Sequence, residues 1–199
     1  PWPPAPLTDG YTDGHGKSAA MNNVGQGEVV AVHVWPAQNE TPLHVDDITL
    51  DWGGVIGDRH HGLVMNSDSR QRPVFPRGTE IRNHRQISLV DVAELRQIAV
   101  SLGIDEIAPG VIADNIATRG FDHLTDLAPM TRLVFSSGAV VMTGGENHPC
   151  TIAGRLVGDV YGSDHNRFVS AATDLRGITG WVEHPGVIRP GDTVTAIAP

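Results

Sequence analysis

Three short stretches of this sequence gather more reactive side chains than packing requires. In the first, Gly57-Asp58-Arg59-His60-His61-Gly62, a carboxylate, a guanidinium and two imidazoles stand between glycines that let the backbone turn sharply and approach a ligand closely. All four side chains are candidate binding groups. The plainer alternative is an Asp58–Arg59 pair tying down a turn with exposed histidines. Neighbouring side chains on a regular strand face opposite ways, so a metal shared by His60 and His61 is not expected. The second stretch is cationic. From Gly57 to Arg85 there are six arginines (Arg59, Arg70, Arg72, Arg77, Arg82, Arg85) against Asp58, Asp68 and Glu80. Arginine suits oxyanions because its planar fork donates two parallel hydrogen bonds and keeps its charge. The stretch therefore reads as an anion-binding wall, or as a solvated loop in a chain that prefers arginine to lysine. The solvated reading weighs most on Arg70 and Arg72.

The third stretch is Gly144-Gly145-Glu146-Asn147-His148-Pro149-Cys150. A lone cysteine is more often a small buried hydrophobe than a nucleophile. Here, however, Pro149 stops the preceding strand and places Cys150 at the first turn of a short helix, where the helix dipole favours a thiolate. His148, two residues away, is a candidate for supplying positive charge or relaying a proton. A thiolate in this position suits a soft metal or a transferred sulfur atom.

The rest of the composition narrows the options. The chain has 199 residues, 14 basic against 23 acidic side chains and a formal charge of −9, which argues against broad binding to nucleic acid or to anionic membranes. Any anionic ligand must then meet a local patch. Cys150 is the sole cysteine, so an intramolecular disulfide and an all-cysteine zinc site are excluded. Lys17 is the sole lysine and lies in a Gly-rich N-terminal stretch, which argues against an internal Schiff base. No His-x-x-x-His pair falls in a convincing helix, so histidine-based metal hydrolysis is not favoured. Neither a secretory leader nor a long apolar run is visible, and with one free thiol the cytoplasm is the expected compartment.

The elements that must position these groups are mostly strands. Residues 1–26 are rich in Pro, Gly, Asp and Asn, show no hydrophobic period, and read as a flexible arm or leader, with the natural start near Met21. The folded part, 27–199, opens with a strand at Glu28–Trp35 and a second built on Ile48, Leu50 and Trp52. Residues 64–83 read as a long loop. Gln86–Leu89 leads into a helix with Val92, Leu95, Ile98, Ala99 and Leu102 at helical spacing, Ser88 with Asp91 as its capping pair, and Gly103 as its stop. Strands follow around Val111–Thr118, Arg132–Phe135 and Ala139–Thr143, then a short helix at Thr151–Val157 and strands at Ile178–Glu183 and Thr193–Ile197. Many short strands punctuated by Gly and Pro, with one or two helices, predict a mainly β fold, a barrel or curled sheet, as one domain.

The order of motifs resembles the MOSC family, the domains similar to the C-terminal domain of molybdenum cofactor sulfurases. The resemblance rests on Gly57-Asp58-Arg59-His60-His61-Gly62 and His84-Arg85-Gln86-Ile87-Ser88-Leu89, then Pro109-Gly110 with Asp114-Asn115-Ile116-Ala117-Thr118. Pro149-Cys150, Pro185-Gly186 and Pro190-Gly191-Asp192 complete it. It runs from about Gly27 to Ile197 and implies a MOSC-like β-barrel whose function is tied to the molybdenum-pterin cofactor (molybdopterin). Cys150 would carry sulfur as a persulfide or ligate molybdenum, with His148 beside it. Asp58, Arg59, His60, His61, Arg85 and Asn115 would bind the cofactor, the basic groups taking its phosphate. The implied activity is sulfur transfer or the reduction of N-hydroxylated compounds, with a redox or sulfur-donor protein as partner. Pyridoxal phosphate is not expected, because the sole lysine lies outside the matched region. The competing reading is a non-catalytic module that captures an anion or a partner through the Arg-rich loop.

Overall fold

The structure is a computed structural model that describes residues 22–36 and 41–199, together with the backbone of two short antiparallel strands, β1 (Tyr11–Thr12) and β2 (Ser18–Ala19). The remainder of the expected arm, and the start expected near Met21, lie outside the described residues.

Seven strands close into a barrel: β3 (Asn23–Val34), β9 (Ile87–Asp91), β10 (Ile116–Arg119), β11 (Arg132–Phe135), β12 (Val140–Glu146), β13 (Ile178–His184) and β15 (Thr193–Ile197). Around the ring the order is β10-β9-β13-β12-β11-β15-β3, and β3 returns to β10. All neighbours are antiparallel except β9 and β10, which are parallel and joined by helix α1 (Val92–Leu102). β4 (Leu43–Val45) flanks β3, and β5 (Ile48–Asp51) makes a small side sheet with β6 (Gly54–Val55) and β14 (Gly186–Ile188). Two further helices, α2 (Thr151–Tyr161) and α3 (His165–Ala171), bring the described helices to three, one more than the sequence predicted.

Alternation of side chains along the strands produces two cores. Leu89, Ile116, Leu133 and Val194 point into the barrel. Val90 and Ala117, their neighbours in sequence, face outward and are covered by Leu95 and Ile98 of α1 and by Val157 and Phe168 of α2 and α3.

Three local expectations change. β3 begins at Asn23, inside the segment read as an arm, and its first residues pair with β15. The misreading came from Gly25 and Gly27, which interrupt the hydrophobic pattern. Both are required because the Phe121 ring lies across them, so that a Cβ on Gly27 would sit 2.7 Å from it. The cap of α1 is Asp91, not Ser88: the Asp91 carboxylate accepts from Ala93 N–H and the Glu94 side chain accepts from Asp91 N–H. Ser88 lies within β9, where its backbone bonds Asn115. The segment read as one loop also holds a hairpin, β7 (Val64–Asn66) with β8 (Glu80–Arg82), and a 3-10 turn at Ser69–Gln71.

Candidate functional site

The three stretches meet in one cleft of about 590 Å³ at the end of the barrel where α2 begins. Its reactive end holds Cys150 with Arg70, Arg85 and Arg176; Arg59, His60 and Trp35 also line it.

The chain builds this cleft from buried hydrogen-bond hubs. Asp58 is only 6 % exposed, and one carboxylate oxygen accepts from Trp35 N–H at 2.9 Å and from Asn115 Nδ2 at 2.9 Å. The other accepts from His60 N–H at 2.8 Å and bonds His60 Nδ1 at 3.0 Å. Burial alone would push this carboxyl up; the bonds from His60 and Trp35 overcome that and hold it below the usual carboxylate range. Asn115 is spent in the same way, its Oδ1 accepting from Ser88 N–H at 3.0 Å. Of the two, both expected to bind a cofactor, Asp58 positions the loop and strands from outside the lining, whereas Asn115 ties the strands together and also lines the cleft. Asn83 continues the scaffold: its Nδ2 donates to the carbonyls of His60 and Gly62, and its Oδ1 accepts from Arg85 N–H.

The remaining predicted residues divide. Arg59 lines the cleft with its guanidinium 4.4 Å from the Trp35 ring centre, a cation–π stack. The two histidines turn to different carboxylates, His60 to Asp58 and His61 Nε2 to Asp51 Oδ1 at 2.8 Å. Arg85 is half-buried in the wall and donates to Asn147 Oδ1 at 3.0 Å; partial burial and the neighbouring Arg70 and Arg176 charges push its pKa down to about 10. His148 is misplaced for the role expected of it. Its ring is not part of the lining, its side chain is 66 % exposed, and Nδ1 lies 3.0 Å from Glu146 Oε2.

The cation beside the thiol is Arg176, which sequence reasoning missed. It is 7 % exposed, donates to the carbonyl of His148 at 2.8 Å and to that of Ile112 at 3.3 Å, and lines the cleft together with Cys150. Its Nε is buried without a partner among the described residues. The signal was the pair Arg176-Gly177. Gly177 adopts φ +73°, and a Cβ there would lie 1.9 Å from the Leu89 carbonyl oxygen, so the chain turns into β13 only with glycine and aims Arg176 inward. Gly177→Ala is expected to cost roughly 1–3 kcal/mol from backbone strain, with further loss from the clash. Chemical denaturation of the variant measures it, and a change below about 0.5 kcal/mol would contradict this placement.

Cys150 is the N-cap residue of α2 and is half-buried. Its sulfur makes no capping hydrogen bond, and the N–H groups of Ile152 and Ala153 in the first turn favour negative charge on it. Burial would raise the thiol; Arg176, these N–H groups and Arg70 outweigh burial and hold it below the ordinary cysteine value. Arg70, which the sequence favoured as solvated, thus joins the site while pairing with Asp68. Arg72, Arg77 and Arg82 are not among the cleft-lining residues. Among the described residues no three His, Cys, Asp or Glu side chains are placed to hold a metal ion by themselves.

The MOSC domain profile matches residues 58–195, more than half of the chain. This chain belongs to the MOSC family. Similar proteins include YuaD of Bacillus subtilis (strain 168), whose name assigns it provisionally to metal–sulfur cluster biosynthesis: 39% identical over 153 residues, 75% of this chain and 79% of that one. The crystal structure of the Bacillus subtilis YuaD protein superposes with a TM-score of 0.83 at 33% identity over 87% of this chain and 97% of that chain. YiiM from Geobacillus stearothermophilus shares the fold, with a TM-score of 0.60 at 13% identity over 86% of this chain and 75% of that one. The MOSC fold expected from the motif order is therefore present, with Cys150 in the lining of the cleft. No helix among the described residues is long and apolar enough to cross a membrane.

Proposed function

We propose that this MOSC protein is a sulfur carrier: the Cys150 thiolate accepts a sulfur atom as a persulfide and presents it to an anionic acceptor held by the cleft arginines. The observation that carries this reading is the placement of the sole thiol against Arg176 at an open helix N-cap, an environment that favours a thiolate.

Molybdopterin is the acceptor that family membership implies, and the residues fit it. Arg85 and Arg176, both in the cleft lining, suit a phosphate, and a single thiol suffices for a metal that arrives with its own sulfur ligands. Bound molybdenum would supply two-electron redox chemistry. Arg85 and Arg176 would hold the anion, Arg59 and Trp35 would flank it, and Cys150 would face the metal. Cys150 as a molybdenum ligand is the second reading, and it rests on the same arginines.

Expression in cells that make the cofactor separates the two. Molybdenum that co-purifies with wild type and is lost in Cys150→Ala marks a ligand; a persulfide on Cys150, with molybdenum equal in both proteins, marks a carrier. A module that merely captures anions shows neither. Thiol reactivity supplies a further prediction. Because the thiolate is the reactive form and its pKa is lowered, alkylation of Cys150 should reach half its maximal rate below the ordinary thiol value of about 8.5. Arg176→Gln should move that midpoint upward. A wild-type midpoint at or above the ordinary value would count against the reading.

A further inference from the structure

The reactive end of the cleft holds more positive charge than the protein neutralises. Three guanidinium-bearing residues, Arg70, Arg85 and Arg176, line the cleft together with Cys150. Asp68 pairs with Arg70. Among the described residues no carboxylate lies within 4 Å of Arg85 or Arg176, both of which donate to neutral oxygens. The nearby buried carboxylate, Asp114, gives both its oxygens to Gly110 N–H. Buried charges are ordinarily paired, yet Arg176, which lines the cleft, meets only neutral oxygens and leaves its Nε without a partner among the described residues. Against these three charges stand Asp68 and a Cys150 thiolate, so one positive charge is left at this end, and Arg59 adds another in the same cleft.

We propose that Cys150 takes its sulfur directly from a small sulfane-sulfur oxyanion, of which thiosulfate is the simplest, with Arg70, Arg85 and Arg176 binding the sulfonate end. The proposal rests on the sulfur-carrier reading and names its donor class. The Cys150 thiolate attacks the outer sulfur of thiosulfate. A new S–S bond forms at Cys150, the S–S bond of thiosulfate breaks, and its electron pair leaves with sulfite. One thiolate and one dianion thus become one persulfide anion and one dianion, with no external oxidant or reductant. The guanidiniums bind the donor and stabilise the charge that gathers on the departing sulfite. A later thiol or cyanide acceptor removes the outer sulfur and regenerates the Cys150 thiolate.

The test measures persulfide on Cys150 after incubation with thiosulfate or with glutathione persulfide, a donor that has no sulfonate beside its outer sulfur. Wild type, Arg70→Gln and Arg85→Gln are compared; Arg70 lies on an exposed turn, so that variant keeps the test valid if Arg85→Gln folds poorly. The expected result is loading of wild type by both donors. With each rate divided by the rate of Cys150 alkylation in the same variant, so that any change in thiolate fraction cancels, thiosulfate loading should fall about 10- to 100-fold while loading from glutathione persulfide stays within about twofold. Loading by glutathione persulfide but not by thiosulfate overturns this proposal and leaves the carrier reading standing. Equal losses with both donors overturn it too, since the arginines would then act through the thiol alone. Failure of both donors overturns the carrier reading as well.

Discussion

Cys150→Ser is expected to fold as the wild type does, to keep its affinity for anions, and to take up no sulfur from any donor. Serine is the stronger N-cap, so the start of α2 gains a capping bond that cysteine does not make. The arginines that bind the anion remain. What disappears is the only atom in the chain able to form the persulfide bond, because Cys150 is the only cysteine. Paired measurements of anion binding and of sulfur uptake check this. Uptake by the serine variant would place the chemistry elsewhere, and loss of binding together with uptake would mean that the thiolate is mainly a structural counter-charge for Arg176.

Asp58→Ala is expected to produce the largest loss of stability, about 3–5 kcal/mol, because it removes at once the buried acceptor of the Trp35 N–H, of one Asn115 Nδ2 hydrogen bond and of the bonds from His60. Urea unfolding measures it, and a loss under about 1 kcal/mol would show that the loop is anchored by other contacts. The pH dependence follows from the same carboxylate. Its folded pKa lies below the unfolded value of about 3.9. Its stabilisation is therefore fully present above that value and is lost as pH falls through the folded pKa. The alanine variant should lose less stability than wild type in that acid range.

The barrel was legible where local pattern and burial coincide. The strands at Arg132–Phe135 and Thr193–Ile197, and the start of α2, form where the hydrophobic run and the Pro149 stop place them. Legibility failed where a distant residue decides the outcome. Gly25 and Gly27 look like linker residues until Phe121 is seen across them. α3 was missed because its seven residues carry a single buried side chain, Phe168, too little for a helical period. The candidate site shows the same division. The motifs located the cleft and its thiol, since clustered reactive residues are local information. Which residues face the ligand was not local. Asp58 is consumed by Trp35 and Asn115, both far away in sequence, and His148 is drawn off by Glu146. Arg176 reaches the thiol only because Gly177 allows the chain to pass against Leu89.

Intact-protein mass spectrometry with peptide mapping, after incubation with glutathione persulfide, tests the central claim most directly. The account predicts the added mass of one sulfur atom, located on the peptide that contains Cys150 and removed by a thiol reductant. An unchanged mass, under conditions in which Cys150 remains open to alkylation, would contradict it.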